Sequence, residues 1–354
     1  MAGMRTQLGL HKEAISDCDK AIELAPDNAG AWLHRGILKG QLGLHKEAIS
    51  DCDKAIELAS DNASAWLHRG AAKGLLRQHK GVIADYDEVL RLQPENAEAL
   101  LGRGIARTGL GQYEEAVADF DEALRLAPDH AGAWFNRGIA KGNLGRHKEA
   151  IADYDEALRL APDHAGAWLQ RGIAKGNLGR HEEAIADCDE ALRLAPDHAG
   201  AWRTCGVAKV RLGRYGDAIA DLDEALRLAP DDAGAWLQRG IAKQQLGRHG
   251  EAIADYDEAL RLAPDHAGAW RTRGIAKAQL GEHKEAAADF DEAIRQTPDY
   301  ARAWLNRGLT RVCLGQHEEA MADAQQALSL AQQQGNAELA EMAQGLLTDL
   351  EGTA

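Results

Sequence analysis

Apolar residues recur along this chain in paired runs at helical spacing. In residues 131–164 they are Trp134, Leu144, Ile151, Tyr154, Ala157 and Leu158, with charged and amide residues between them. The period predicts two helices, one from about Ala131 to Leu144 and one from about Lys148 to Ala161. Gly145 suits a left-handed C-cap for the first. Pro162 cannot continue the second, and Asp163 is expected to cap the next helix. Gly138 and Ala150 are small enough to let the paired helices approach closely. The pattern returns every 34 residues: Trp32, Trp66, Trp134, Trp168, Trp202, Trp236, Trp270 and Trp304 share one grid, whose vacancy is Leu100. Every proline, from Pro26 to Pro298, shares the period. Such a period marks a stacked array in which each unit buries its apolar face against the next.

With Trp at position 4, the unit 131–164 carries Trp134 at 4, Gly138 at 8, His147 at 17, Ala150 at 20, Tyr154 at 24, Ala157 at 27 and Pro162 at 32. This pattern resembles the tetratricopeptide repeat, with histidine at 17 as its departure from the family's tyrosine. The resemblance implies an all-α fold, a right-handed α-solenoid or superhelix of 34-residue helix–turn–helix repeats. Nine units are expected at 29–62, 63–96, 97–130, 131–164, 165–198, 199–232, 233–266, 267–300 and 301–334. Residues 1–28 match mainly the second helix of a further repeat. Residues 335–354 are expected to form a capping helix and tail, with Leu339, Met342, Leu346 and Leu350 as its apolar stripe.

The charges are as periodic as the tryptophans. Position 7 is arginine in eight units and position 23 is aspartate in all nine. An arginine on one helix and an aspartate on its partner suit a bidentate pair. The expected structural pairs include Arg35 with Asp51, Arg137 with Asp153, Arg171 with Asp187, Arg239 with Asp255, and Arg273 with Asp289. Cys205 breaks the set and leaves Asp221 without its arginine. Position 11 is always basic, and either joins this lattice or snorkels to solvent.

A net charge of −15 argues against nucleic acid as a partner. No run is apolar enough for a membrane span and no signal-peptide core is present, so a cytoplasmic location is expected. Five cysteines without a CxxC read as free thiols, with Cys18, Cys52 and Cys188 in the core and Cys313 the most accessible. The fourteen histidines are periodic, at positions 6, 17 and 34. Equivalent residues of successive units lie about 8–10 Å apart, too far for a shared zinc. No nucleophile elbow, HExxH or P-loop is legible. The expectation is a chain without catalytic site, cofactor or metal.

By resemblance, positions 2, 5, 6, 9, 12 and 13 of the first helices line a concave groove. The groove residues expected on that basis are Leu33, Ile37, Phe135, Ile139, Asn143, Leu169, Ile173, Asn177, Val207, Leu237, Ile241, Gln245, Ile275 and Gln279. Arg203, Arg211 and Arg271 interrupt this aliphatic and amide surface. Units 131–164 and 165–198 differ at four places, two of them groove positions. The expected function is non-catalytic binding of a protein or peptide segment, amphipathic or bearing acidic groups. Two alternatives stay open: a regulatory or substrate-recruiting array of a larger enzyme or signalling protein, and self-association through an uncapped N-terminal face.

Two neighbouring units depart from the pattern. Arg77 replaces the turn glycine, Gly81 sits inside a helix, Val82 and Val89 replace alanines, Leu100 replaces tryptophan, and Thr108 and Gly109 fall late in a helix. Interior glycine costs a helix about 1 kcal/mol relative to alanine. Residues 63–112 should therefore show the weakest hydrogen-exchange protection in the array's interior, and uniform protection along the chain would contradict this.

Overall fold

The computed structural model describes residues 2–352, with side chains from Leu10 onward. The described residues form twenty helices and no strand. First helices of the repeats run from α2 (Ala29–Gln41) to α18 (Ala301–Cys313) as the even-numbered elements. The odd-numbered second helices run from α3 (His45–Leu58) to α17 (His283–Gln296). The fold class is the all-α solenoid of helix–turn–helix repeats. Two compact units divide the chain after Leu178, and within each the consecutive helices pack on one another.

Local chemistry sets the boundaries. α8 covers Ala131–Asn143 and α9 covers His147–Leu160. Gly145 between them adopts φ 74°, the left-handed region that a side chain resists. Seven further units place a glycine there at φ between 73° and 81°. Arg77 holds the same place at φ 55° in the remaining unit.

The helix starts correct one expectation. The residue capping α10 (Ala165–Asn177) is His164, not Asp163: its Nδ1 accepts from the Ala167 N–H at 3.0 Å. Asp163 lies one residue too early in the turn to reach that donor. His130, His198 and His266 cap their helices in the same way, as do Asn28, Asn62, Asn96 and Asp232 through oxygen. An imidazole nitrogen thus takes the role usually filled by a short polar oxygen.

The core lies between the paired helices. Tyr154, Tyr256, Phe120, Phe290, Leu222, Cys52 and Cys188 fill position 24, all nearly inaccessible. Glycine at position 8 makes room for them: a Cβ on Gly138 would stand 2.6 Å from Tyr154 Cε1. Leu100 is buried where other units carry tryptophan, and Val82 and Val89 are buried in one cluster with Tyr86 and Ala99.

The last helices depart from the repeat. α19 (His317–Gln333) runs longer than the second helices α3 to α17 and carries Gln332 at the proline position. It ends at Gly335, with φ 65°. α20 (Ala337–Gly352) buries Leu339, Ala343, Leu346, Leu347 and Leu350. Met342 is exposed and does not belong to the expected stripe, because the buried seam passes through Ala343 and Leu347 instead. No described helix is long and apolar enough to cross a membrane.

Arg77→Gly should stabilise the chain by about 1 kcal/mol, because it removes a side chain from a left-handed backbone position. Urea unfolding checks this; a lower midpoint would mean that the arginine's contacts outweigh its backbone cost.

Candidate functional site

Every first helix from α2 to α18 except the one carrying Cys205 presents an arginine at position 7. Arg137 donates through Nε to Asp153 Oδ2 at 3.0 Å and through Nη2 to Asp153 Oδ1 at 2.7 Å. Its remaining nitrogen, Nη1, reaches Asp121 Oδ1 of the preceding repeat at 2.5 Å. Arg35, Arg239 and Arg273 repeat this arrangement with Asp51, Asp255 and Asp289 on one side and Asp19, Asp223 and Asp257 on the other. Arg69, Arg103 and Arg307 do the same. Arg171 lies in the first compact unit and reaches Asp155; Asp187 lies in the second and is buried. The backward contact to position 25 has a sequence signal, the aspartate repeating two places after position 23.

Two further groups complete the lattice. The basic residue at position 11 also meets the position-23 carboxylate: Lys39 is 2.8 Å from Asp51, Lys141 2.9 Å from Asp153, and Arg107 2.7 Å from Asp119. The tryptophan lies beneath the guanidinium, with the Arg137 carbon 4.5 Å from the Trp134 ring centre. Its indole N–H donates to the carbonyl of the residue six places earlier, Pro128 for Trp134 at 2.8 Å. Tryptophan and proline periods are therefore two ends of one hydrogen bond. For Trp66 the acceptor is Ser60. The hydrogen bond that Arg35 donates to Asp51, above all, holds the guanidinium more firmly protonated than usual.

Residues expected to line a groove separate into three groups. Leu33 and Leu169 are buried in the core, a correction to their placement on an open surface; Leu33 packs with Ile56 and Ala65, so position 5 serves contact with the following repeat. Phe135, Leu237, Val207, Ile37, Ile241 and Ile275 are half-buried. Ile139, Asn143, Ile173 and Asn177 come together in a pocket of about 200 Å³, joined by Gly142, His147, Tyr154, Gln170 and Ala174. A second pocket of about 240 Å³ lies between the first helices of units 29–62 and 63–96, with Ile37, Gly40, His45 and His68 in its wall. Burial pulls His68 below the usual histidine range.

The equivalent of Gly142 in unit 233–266 is Gln244. Its amide oxygen accepts from the Tyr256 hydroxyl at 2.7 Å and its nitrogen donates to Gln279 at 2.8 Å. One glutamine thus occupies the place that Gly142 leaves open beneath Tyr154. Gln245 is exposed.

Position 5 also touches position 34 of its own repeat. Arg203 Nε stands 3.2 Å from Asp232 Oδ2, Arg271 donates to the Tyr300 hydroxyl at 2.7 Å, and the Phe135 ring meets His164 at 4.5 Å. Arg203 and Arg271 therefore have partners within the chain, although Arg203, like Arg211, is exposed. Among the cysteines, Cys313 is exposed; Cys52 and Cys188 are buried, and burial pushes the Cys52 thiol up to about 12. Among the described residues no group of three His, Cys, Asp or Glu is placed to hold a metal ion.

Family models described as tetratricopeptide repeat match residues 95–163, 135–199, 179–233, 237–300 and 271–337. A model described as protein prenyltransferase alpha subunit repeat matches 11–38 and 45–72, each a second helix followed by a first. No curated protein sequence matches the chain. Among solved structures, Cut9–Hcn1 from an APC/C hetero-tetramer is similar at 16% identity and TM-score 0.60, covering 95% of this chain and 81% of its own. A tetratricopeptide repeat protein from Parabacteroides merdae shares 21% identity at TM-score 0.57, covering 70% and 98%. YrrB, described as a TPR protein with an unusual peptide-binding site, shares 26% identity at TM-score 0.46, covering 52% and 95%.

The interrupted lattice at Cys205 gives a pH-dependent test. Burial, opposed by Lys209, pushes the Asp221 carboxyl above the usual carboxylate range. A raised carboxyl favours the native state at acid pH and opposes it once ionised. Cys205→Arg should raise the melting temperature at pH 7, and the gain should shrink toward pH 4 as Asp221 protonates. A fall at pH 7 would contradict the pairing role of position 7.

Proposed function

The chain belongs to the tetratricopeptide repeat family, and from that premise we propose that it is a non-catalytic interaction scaffold that binds a polypeptide segment along its first helices. The pocket around Ile139 and Ile173 carries this reading. Its lining combines the aliphatic Ile139, Ile173 and Ala174 with the amide side chains of Asn143, Gln170 and Asn177. The Asn143 amide nitrogen is already used, donating to the Ile139 carbonyl at 2.9 Å. Such a pocket accepts an apolar side chain whose neighbouring backbone finds amide partners.

The Gln244 arrangement indicates a second element of recognition. An amide side chain arriving beneath Tyr154 would make there the contact that Gln244 makes with Tyr256. The preferred ligand segment therefore combines an aliphatic residue with glutamine or asparagine. Arg211 is the groove cation best placed to meet an acidic group, since it is exposed and Arg203 and Arg271 already have partners within the chain.

A bait comparison tests this. Partners held by the native chain should bind at least about tenfold more weakly, roughly 1.4 kcal/mol, to Gly142→Gln, which fills the pocket, and to Ile173→Asp, which charges its floor. Lys148→Glu is the control, because the next repeat carries Glu182 at that exposed position. Equal retention by all four proteins would overturn the groove reading.

A further inference from the structure

Cys205 on α12 (Ala199–Arg211) occupies the place where other units carry the lattice arginine. Every group that would hold that arginine is present. Trp202 keeps its hydrogen bond to the Pro196 carbonyl at 2.9 Å, so its ring is anchored like the other tryptophans. No cation stands over it among the described residues, whereas Arg239 lies 4.5 Å from the Trp236 ring centre in the next repeat. Asp221, on α13 (Tyr215–Leu228), is the position-23 carboxylate. Asp189, on α11 (His181–Leu194), is the position-25 carboxylate and is exposed.

The cysteine does not replace what is missing. Its thiol ends 3.8 Å from Asp189 Oδ1, and its short side chain cannot span the length of an arginine. Asp221 retains only Lys209, whose ammonium stands 2.5 Å from Oδ2, and that buried oxygen accepts no aligned hydrogen bond. A complete repeat sets two cations against two carboxylates; here one ammonium faces two. The Asp221 side chain is 9% exposed, against 1–5% for the paired aspartates of the complete repeats. In the complete repeats the arginine side chain is itself 11–18% exposed, so a guanidinium held in this way keeps an edge toward solvent.

We propose that Trp202, Asp189 and Asp221 form a binding site for a guanidinium group, supplied either by a small alkylguanidinium or by an arginine side chain of a polypeptide. A planar guanidinium would donate in parallel to the Asp221 carboxylate, turn its remaining edge to Asp189 and stack on the indole face. The template is internal: Arg239 makes these contacts with Asp255, Asp223 and Trp236. An ammonium ion has neither the fork nor the plane, so guanidinium is selected over lysine-like ligands. The site is independent of the pocket at Ile139 and Ile173.

The test uses the whole chain under reducing conditions and constant ionic strength. Methylguanidinium at millimolar concentration should raise the melting temperature of the native protein more than methylammonium does. The difference should vanish in Cys205→Arg, where a tethered guanidinium fills the site; the same difference in both proteins would overturn the proposal. Should that variant not fold, the native protein suffices: the Trp202 indole N–H resonance, assigned through Trp202→Phe, should shift on titration while the other seven stay in place. An unmoved Trp202 resonance would also overturn the proposal. A Gly-Arg-Gly peptide moving the same resonance identifies a polypeptide as an admissible source, whereas a response to methylguanidinium alone restricts the site to small cations.

Discussion

The structure depends on burying a carboxylate in every repeat. The position-23 aspartates are almost wholly inaccessible, with Asp85 and Asp323 each 1% exposed. An isolated carboxylate in such a place would cost several kcal/mol, so the fold must deliver cations to it. In the complete repeats it delivers two, from positions 7 and 11 of the facing first helix. The arginine then has a nitrogen to spare, and that nitrogen binds the repeat before. One requirement, neutralising a buried acid, thus joins the helices of a repeat and also joins neighbouring repeats within each compact unit.

The apolar features follow from the same geometry. Tryptophan supplies the plate on which the guanidinium rests, and its N–H is tied to a carbonyl in the turn that proline creates. The glycine at position 8 brings the two helices close enough for a short arginine–aspartate contact while admitting a ring at position 24. These positions answer to one another, which explains why they are so nearly invariant from repeat to repeat while positions 5, 12 and 13 vary.

The fold was legible because its signals repeat. A single Trp, Gly or Pro says little, but eight tryptophans at one interval allow one assignment. Three things escaped the sequence. Histidine is an uncommon N-cap, and only the asparagines and aspartate in the same register, at Asn28, Asn62, Asn96 and Asp232, hint at that role for His164. The buried face of α20 includes Ala343 and Leu347 in place of Met342, a rotation of one position that helical periodicity leaves open. The groove residues were the least legible, because a leucine at helical spacing looks the same whether it faces a ligand or the next repeat. Leu33 packs toward the next repeat and Leu169 is buried, while Ile173 opens on a pocket. Arg203 and Arg271 looked unpaired because their partners are twenty-nine residues away, beyond the reach of local pattern.

The two contacts of the lattice arginine each span sixteen residues, one forward and one backward. Both fit inside a window shorter than one period. Duplicating or deleting a whole 34-residue block therefore leaves every remaining arginine with both of its aspartates, whereas an insertion of any other length separates them. The chain is accordingly tolerant of copy-number change and intolerant of frame change. Near-identical neighbours such as units 131–164 and 165–198 are what recombination between blocks of that kind would leave behind.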